Sequence, residues 1–281
     1  MLRPSTTMHF DQSFQVNIME RKNYKLLEQI VRNKIPCLFI SPHFDDAALS
    51  CGGLISYLSD KTKVVVVNVF TEANEPPYTL STKVFLGRCG YKNAKKLFEQ
   101  RKLEDSLSFK NLKVQIINLG FVDALWRKDA NVGLLIKFLG RFIPEIIHVY
   151  KTGRLHVLKG KVSEKDDQIM LQIKKRISDI VRGENAVLFL PLSIGNHVDH
   201  VIVKDVCSQL NLTKVFWLDY PYSLKSKVTN GFWDKYKFNT LSFNENQDDR
   251  MKLIKGYKTQ ISGLFPGGNI KLVPEKYFWK V

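Results

Sequence analysis

Pro36-Cys37-Leu38-Phe39-Ile40-Ser41-Pro42-His43-Phe44-Asp45-Asp46-Ala47-Ala48-Leu49-Ser50-Cys51-Gly52-Gly53 is the stretch from which the fold follows. Residues 36–41 make a short apolar run of strand length, and residues 47–59 then carry apolar side chains at helical spacing. A strand, a loop and a helix are predicted, with one imidazole and two carboxylates at the loop mouth. The alternation repeats along the chain. Residues 64–70 are rich in β-branched side chains, as in a central strand covered on both faces. Residues 92–109 suit an amphipathic helix and 114–119 a further strand. Residues 131–141 read as helix, 146–150 as a short strand, and 165–181 as an amphipathic helix ended by Gly183. An apolar strand at 187–190, a turn, a helix over 198–210 and a strand over 214–218 follow. The expected class is α/β and Rossmann-like: a mostly parallel sheet with helices on both faces and right-handed crossovers, in a single domain. An N-terminal arm and lead-in helix over residues 1–35 precede the domain proper at 36–281.

With 281 residues, 44% hydrophobic and 25% charged, the chain has the apolar content of an ordinary globular protein. No run approaches the roughly 18 apolar residues of a membrane span, and residues 1–20 lack the apolar core of a secretory signal, so a cytoplasmic location is expected. Cys37, Cys51, Cys89 and Cys207 form no CxxC pair and read as free thiols, mostly buried. The formal net charge of +16 favours anionic partners. The lysines are nevertheless dispersed, with no basic block holding interleaved aromatics, so a solvated exterior is expected rather than a nucleic-acid surface.

The chemistry concentrates in two clusters. His43 and Asp46 are three residues apart across a strand-to-helix junction, and Gly195-Asn196-His197-Val198-Asp199-His200 repeats that spacing between His197 and His200. Both follow strands, so both fall at the sheet's carboxyl edge, where open α/β folds place ligands. Two histidines and a carboxylate, assigned as His43, Asp46 and His200, make a three-ligand set with an open fourth position, the pattern of catalytic rather than structural zinc. Zn2+ lowers the pKa of water from 15.7 toward about 7, and Fe2+ tolerates the same ligands. Asp45 is left over as general base. His197 is left over as a donor to an oxyanion. Asp199 behind it favours the imidazolium of His197, whereas a helix N-terminus favours neutral imidazole, and the protonation state stays open. The plainer alternatives are that Asp45 or Asp46 is a helix cap and that Gly52 and Gly53 serve close helix-to-sheet packing; no phosphate-loop pattern surrounds them.

These segments resemble the motifs of the LmbE-like, or PIG-L-like, N-acetylglucosaminyl deacetylases. His43-Phe44-Asp45-Asp46 with the small-residue helix after it is similar to the family's first motif, although Phe44 stands where proline is usual and Ala47 where glutamate is common. His197-Val198-Asp199-His200 is similar to the second, with Val198 in a proline position. Arg101-Lys102-Leu103-Glu104 resembles an RxxE motif, and Gly120-Phe121-Val122-Asp123, followed by Arg127, a sugar-binding segment. Asp219-Tyr220-Pro221-Tyr222 and Lys255-Gly256-Tyr257-Lys258-Thr259-Gln260 resemble the family's DxPY and YxSQ stretches, so the likeness spans residues 36–265. It implies Zn2+ on His43, Asp46 and His200, with Asp45 as base and His197 as oxyanion stabiliser. It also implies that Arg101 approaches substrate and that Asp123 bonds sugar hydroxyls. Taken alone, Arg101 and Glu104 are an ordinary helix pair and Asp123 a turn residue.

The function expected is removal of the acetyl group from the 2-acetamido group of an N-acetylglucosamine-containing small glycoside, such as an acetylated pseudodisaccharide intermediate of antibiotic biosynthesis. The alternatives are a deacetylase of a thiol precursor or lipid-linked conjugate, and a non-catalytic sugar- or polyanion-binding protein on the same fold. The partner is a small amino sugar; the sequence leaves the oligomeric state open.

Overall fold

Strands made of apolar residues throughout need cover on both faces, and the crossovers of this chain supply it. The computed structural model describes residues 24–225 and 237–280; residues 1–23 of the expected N-terminal arm lie outside them. In chain order the main elements are α1 (Lys25–Arg32), β1 (Cys37–Ser41), α2 (Asp46–Ser59), β2 (Val64–Glu72), α3 (Leu80–Arg88), α4 (Ala94–Phe109) and β3 (Val114–Val122). They continue as α5 (Leu134–Leu139), α6 (Asp167–Ile180), β4 (Val187–Pro191), α7 (Val198–Ser208) and β5 (Thr213–Trp217). The last are β6 (Phe238–Phe243), α8 (Gln247–Gly256), α9 (Lys258–Leu264) and β7 (Glu275–Lys280).

The seven strands lie in the order β3-β2-β1-β4-β5-β7-β6. The first five are parallel, while β7 and β6 close one edge antiparallel. Alternation along β1 divides the core. Cys37 and Phe39 pack on one face with Leu54, Ile55 and Leu97 from α2 and α4. Leu38 and Ile40 pack on the other with Ile173, Ile177, Ile202 and Val203 from α6 and α7. Strand order reverses between β1 and β4, so the loops after these two strands open onto the crevice that such a switch point creates.

Several expectations are corrected. Residues 146–150 form no strand: a 3-10 turn occupies Pro144–Ile146 and a single bridge joins Lys128 to His148. Pro144 lacks an amide for a ladder, and its carbonyl oxygen instead meets His148 Nδ1 at 2.7 Å. Of residues 131–141 only Leu134–Leu139 is helical, bounded by Gly133 and Gly140. α3, β6, α8, α9 and β7 have no counterpart in the sequence reading. Gly52 and Gly53 permit close approach, but to helix α8 and the β7 edge rather than to the sheet face. A Cβ at Gly52 would lie 3.0 Å from Arg250 Cγ, and one at Gly53 2.7 Å from the Glu245 carbonyl oxygen. The same contact is electrostatic: Arg250 donates from Nε and Nη2 to the Leu49 carbonyl at 3.0 and 2.7 Å. Glu275 accepts from the Gly53 and Leu54 amides at 2.7 and 3.1 Å, and Arg250 Nε lies 3.3 Å from Glu275. The antiparallel edge is thereby locked onto the helix that begins at Asp46.

Gly53→Ala is expected to lower unfolding stability by about 1–3 kcal/mol, because backbone must move to admit the methyl group. Gly87→Ala in α3, where a Cβ meets nothing within 4 Å, should instead stabilise by about 0.5–1 kcal/mol through helix propensity. Chemical denaturation of the two variants checks the contrast.

Candidate active site

Every residue of the two clusters lies at the carboxyl edge, as strand order requires. His43 sits in the loop after β1 and Asp46 at the first position of α2. His197 caps α7, its Nδ1 accepting from the Asp199 amide at 3.3 Å. The clusters are 156 residues apart in sequence, yet the His43 and His200 rings lie 5.4 Å apart and the His43 and His197 rings 4.8 Å apart. One carboxylate oxygen joins two of them: Asp46 Oδ2 is 3.1 Å from His43 Nδ1 and 3.2 Å from His200 Nε2. The same oxygen accepts from the His43 amide at 2.9 Å. Asp45 occupies the cap position of α2 but makes no side-chain cap bond, so capping does not account for either aspartate.

Each imidazole's second nitrogen is held by a further buried carboxylate. His43 Nε2 lies 3.2 Å from Asp199 Oδ2 and 3.4 Å from Asp123 Oδ2. His200 Nδ1 lies 2.8 Å from Asp219 Oδ1, whose partner oxygen accepts from the Ile194 amide at 2.9 Å. Asp199 is itself pinned, accepting from the Ala124 amide at 2.9 Å and from Arg127. Arg127 also donates to Asp166 at 2.9 Å, to which the Tyr150 hydroxyl donates at 2.6 Å. Asp199 thus bonds the His43 imidazole; of His197 it engages only Nδ1, through its backbone amide.

Charge distribution follows from these contacts. Burial opposes the charged form of His43, but the bonds to Asp199 and Asp46 and the charge of Asp123 outweigh it and raise its pKa well above the ordinary value. Burial is likewise outweighed at His200, where Asp46 and Asp219 raise it to about 10. Asp46 is held far below the usual carboxylate range by His200 and His43 despite its burial, and Asp199 by Arg127. His197 goes the other way: burial, then repulsion from His43, pushes it down to about 3. It is a neutral imidazole whose Nδ1 accepts, so its proton is on Nε2. Asp45 is raised to about 6 by burial and by the Asp46 charge, with Arg101 pulling against both; among the described residues its carboxylate accepts only from its own amide.

The donor chemistry fits a divalent cation. Ligand atoms of His43, Asp46 and His200 fall within 4.8 Å of one another, as do those of His43, His197 and Asp199. The first set is the better one, because Asp199 is occupied by Arg127 and Ala124, whereas both imidazole nitrogens facing Asp46 have their ring partners fixed by carboxylates, the arrangement that orients metal-bound histidine.

The secondary residues divide. Asp123 Oδ1 accepts from the Leu125 amide at 2.8 Å, as a turn residue would, while its other oxygen faces His43. Arg101 and Glu104 are not paired: Glu104 accepts from the Thr259 hydroxyl at 2.7 Å. Arg101 is buried between Phe85 and Phe98, its Nη2 4.0 Å from Cys89 Sγ and its Nε without a partner among the described residues. Asp219, Arg127 and Tyr222 received no role in the sequence reading. Asp219 had the same positional signal as His43, a polar residue directly after a parallel strand. Tyr222 was marked only by the DxPY resemblance; its ring meets His200 edge-on at 6.2 Å and packs beside Gly195 in the folded chain.

Residues 38–211 match the sequence profile of the PIG-L family, described as GlcNAc-PI de-N-acetylase, and the chain belongs to that family. It is similar to the 2'-N-acetylparomamine deacetylase of Streptomyces fradiae, 24% identical over 193 residues that cover 66% of this chain and 57% of that protein. The chain therefore spans little more than half the length of that curated relative. Among solved structures it resembles the A40926 pseudoaglycone deacetylase, with TM-score 0.63 and 22% identity, covering 87% of this chain and 96% of that one. A deacetylase of teicoplanin biosynthesis superposes with TM-score 0.67 and 21% identity over 88% and 98% of the two chains. These likenesses establish the shared α/β fold.

Asp105 generates a prediction with a definite sign. It is buried on α4 and accepts from Asn68 at 2.8 Å and from the Tyr257 hydroxyl at 2.7 Å, and burial raises its pKa from 3.8 to about 7. The folded state therefore holds a proton that the unfolded state has released, so this residue weakens folding as pH rises from about 4 to about 7. Asp105→Asn should remove that slope: relative to wild type, with chelator present, the variant gains stability on going from pH 4 to pH 8. A parallel pH dependence in the two proteins, followed by urea unfolding, would show that Asp105 ionises normally.

Proposed function

We propose that the domain over residues 36–281 is a Zn2+-dependent N-deacetylase that hydrolyses the 2-acetamido group of a small N-acetylglucosamine-type glycoside to the free amine and acetate. The observation that carries this reading is the convergence of His43 Nδ1, His200 Nε2 and Asp46 Oδ2, with carboxylates fixing both rings from behind. His43, Asp46 and His200 would hold the cation, which when bound supplies a Lewis acid that brings water deprotonation within reach of neutral pH. Membership of the family and the likeness to deacetylases of aminoglycoside and glycopeptide intermediates support an acetylated sugar of antibiotic type as substrate.

Asp45 is the base. Its carboxylate is buried beside Asp46 without a donor other than its own amide, so it is available to take a proton from water. The water oxygen bonds to the acetyl carbon, and His197 Nε2–H donates to the carbonyl oxygen as that oxygen gains charge. The Nε2 proton is available for this because Nδ1 accepts from the Asp199 amide. Cleavage of the C–N bond follows, and Asp45 returns its proton to the departing amine. Arg101 and Asp123 are assigned to the sugar on the family resemblance; Asp123 Oδ2 lies 3.4 Å from His43 Nε2, and the Arg101 guanidinium is buried between Phe85 and Phe98.

Metal analysis with acetate release from a panel of N-acetylated amino sugars tests the assignment. Asp45→Ala and His197→Ala should retain metal while turnover falls by roughly 10²-fold or more. His43→Ala and His200→Ala should lose the metal as well. Equal metal loss in all four would refute the division of roles, and an inactive, metal-free wild type would refute the reading itself.

A further inference from the structure

Residues 131–147 leave the domain as a protrusion with an apolar exterior. No residue of α5 is buried, and Leu134, Leu135 and Phe142 are 86%, 72% and 75% exposed, with Phe138 and Ile143 beside them. A lone exposed leucine is ordinary, but a contiguous group of this size on a monomer marks a contact surface. Within the protrusion Gly140 lies against Ile147, and Glu145 ties it to the domain by accepting from the Leu80 amide at 2.9 Å. That bond brings Leu80, 69% exposed, alongside the same patch.

Its charge selects the partner. From residue 131 to 163 Glu145 is the sole acidic side chain, against Lys137, Arg141, Lys151, Arg154, Lys159 and Lys161. Glu145 is engaged in the bond to Leu80, and the Arg141 guanidinium stacks 5.9 Å from the Phe138 ring centre within the apolar patch. A second copy docking on this face would bring Lys137 and Arg141 against their own equivalents, in a chain already at +16. Bulky apolar side chains standing out from a convex tip, interleaved with cations, instead match the interfacial zone of an anionic bilayer. No described helix is long and apolar enough to cross a membrane, so the contact lies on the bilayer.

We propose that residues 134–146 are a peripheral membrane-docking prong, with Leu134, Leu135, Phe138 and Phe142 entering the headgroup and acyl boundary of an anionic lipid surface while Lys137 and Arg141 meet the phosphates. The inference does not rest on the deacetylase reading, since it is tested by binding alone. Flotation of the full chain with vesicles of phosphatidylcholine, or of phosphatidylcholine mixed with phosphatidylglycerol, should show binding to the anionic vesicles. Leu135→Glu with Phe142→Glu should weaken it by at least roughly 100-fold, and Lys137→Gln with Arg141→Gln by roughly 30-fold. Leu171→Glu, an exposed leucine on α6, should leave it unchanged. These positions are exposed, so the variants should melt with the wild type. Absence of wild-type flotation, or binding indifferent to both double variants, overturns the proposal. A dimer in sedimentation that Leu135→Glu with Phe142→Glu dissolves, without vesicle binding, overturns it in favour of a second copy.

Discussion

A single carboxylate oxygen, Asp46 Oδ2, lies between two imidazoles contributed by loops far apart in sequence, and the rest of the site is arranged around that contact. Buried carboxylates repel one another and resist desolvation unless cations accompany them. Here Asp46, Asp199 and Asp219 each have one: His43 and His200 serve Asp46, Arg127 with His43 serves Asp199, and His200 serves Asp219. The two aspartates with no direct cationic hydrogen bond are Asp45 and Asp123, and both are pushed upward by burial. A site in which some acids are held ionised and one is left poised separates ligand from base by environment rather than by residue type.

The scaffold makes that separation rigid. His43 and His200 reach the crevice from strands β1 and β4, which pair directly at the centre of the sheet. The carboxylates behind them come from the ends of β3 and β5 and from α7, so the connections after β1, β3, β4 and β5 contribute to one small volume. The middle of α2 is fixed independently, through Arg250 at Leu49 and Glu275 at Gly53, to α8 and the antiparallel strand β7. A helix held at its middle by a buried ion pair does not easily shift the aspartates at its start.

Local pattern made the central sheet legible. Runs at residues 36–41, 64–70, 114–119, 187–190 and 214–218 correspond to β1 through β5; β1, β2 and β4, covered on both faces, are apolar almost throughout, whereas the edge strand β3 carries Gln115 and Asn118 and is partly buried. The antiparallel strands β6 and β7 escaped notice. Phe238–Phe243 mixes polar and aromatic residues and Glu275–Lys280 charged and aromatic ones, and such patterns are weak over six residues. Residues 146–150 misled for a related reason: an apolar composition reads as strand, but Pro144 turns the chain before a ladder can start.

For the site, sequence by itself determined which side chains stand at the carboxyl edge, since any polar residue directly following a parallel strand must emerge there. His43, Asp45 and Asp46 lie in the loop and helix start after β1, and His197 and His200 in the turn and first helical turn after β4. Tertiary structure alone decided the partners. That Asp199 turns its carboxylate to His43, that Asp219 holds His200, that Glu104 binds Thr259 rather than Arg101, and that His197 is neutral all depend on distances between segments whose order in the sheet differs from their order in the chain. Hydrogen bonds and charge interactions fall off within a few ångströms, and no spacing along the sequence encodes that proximity.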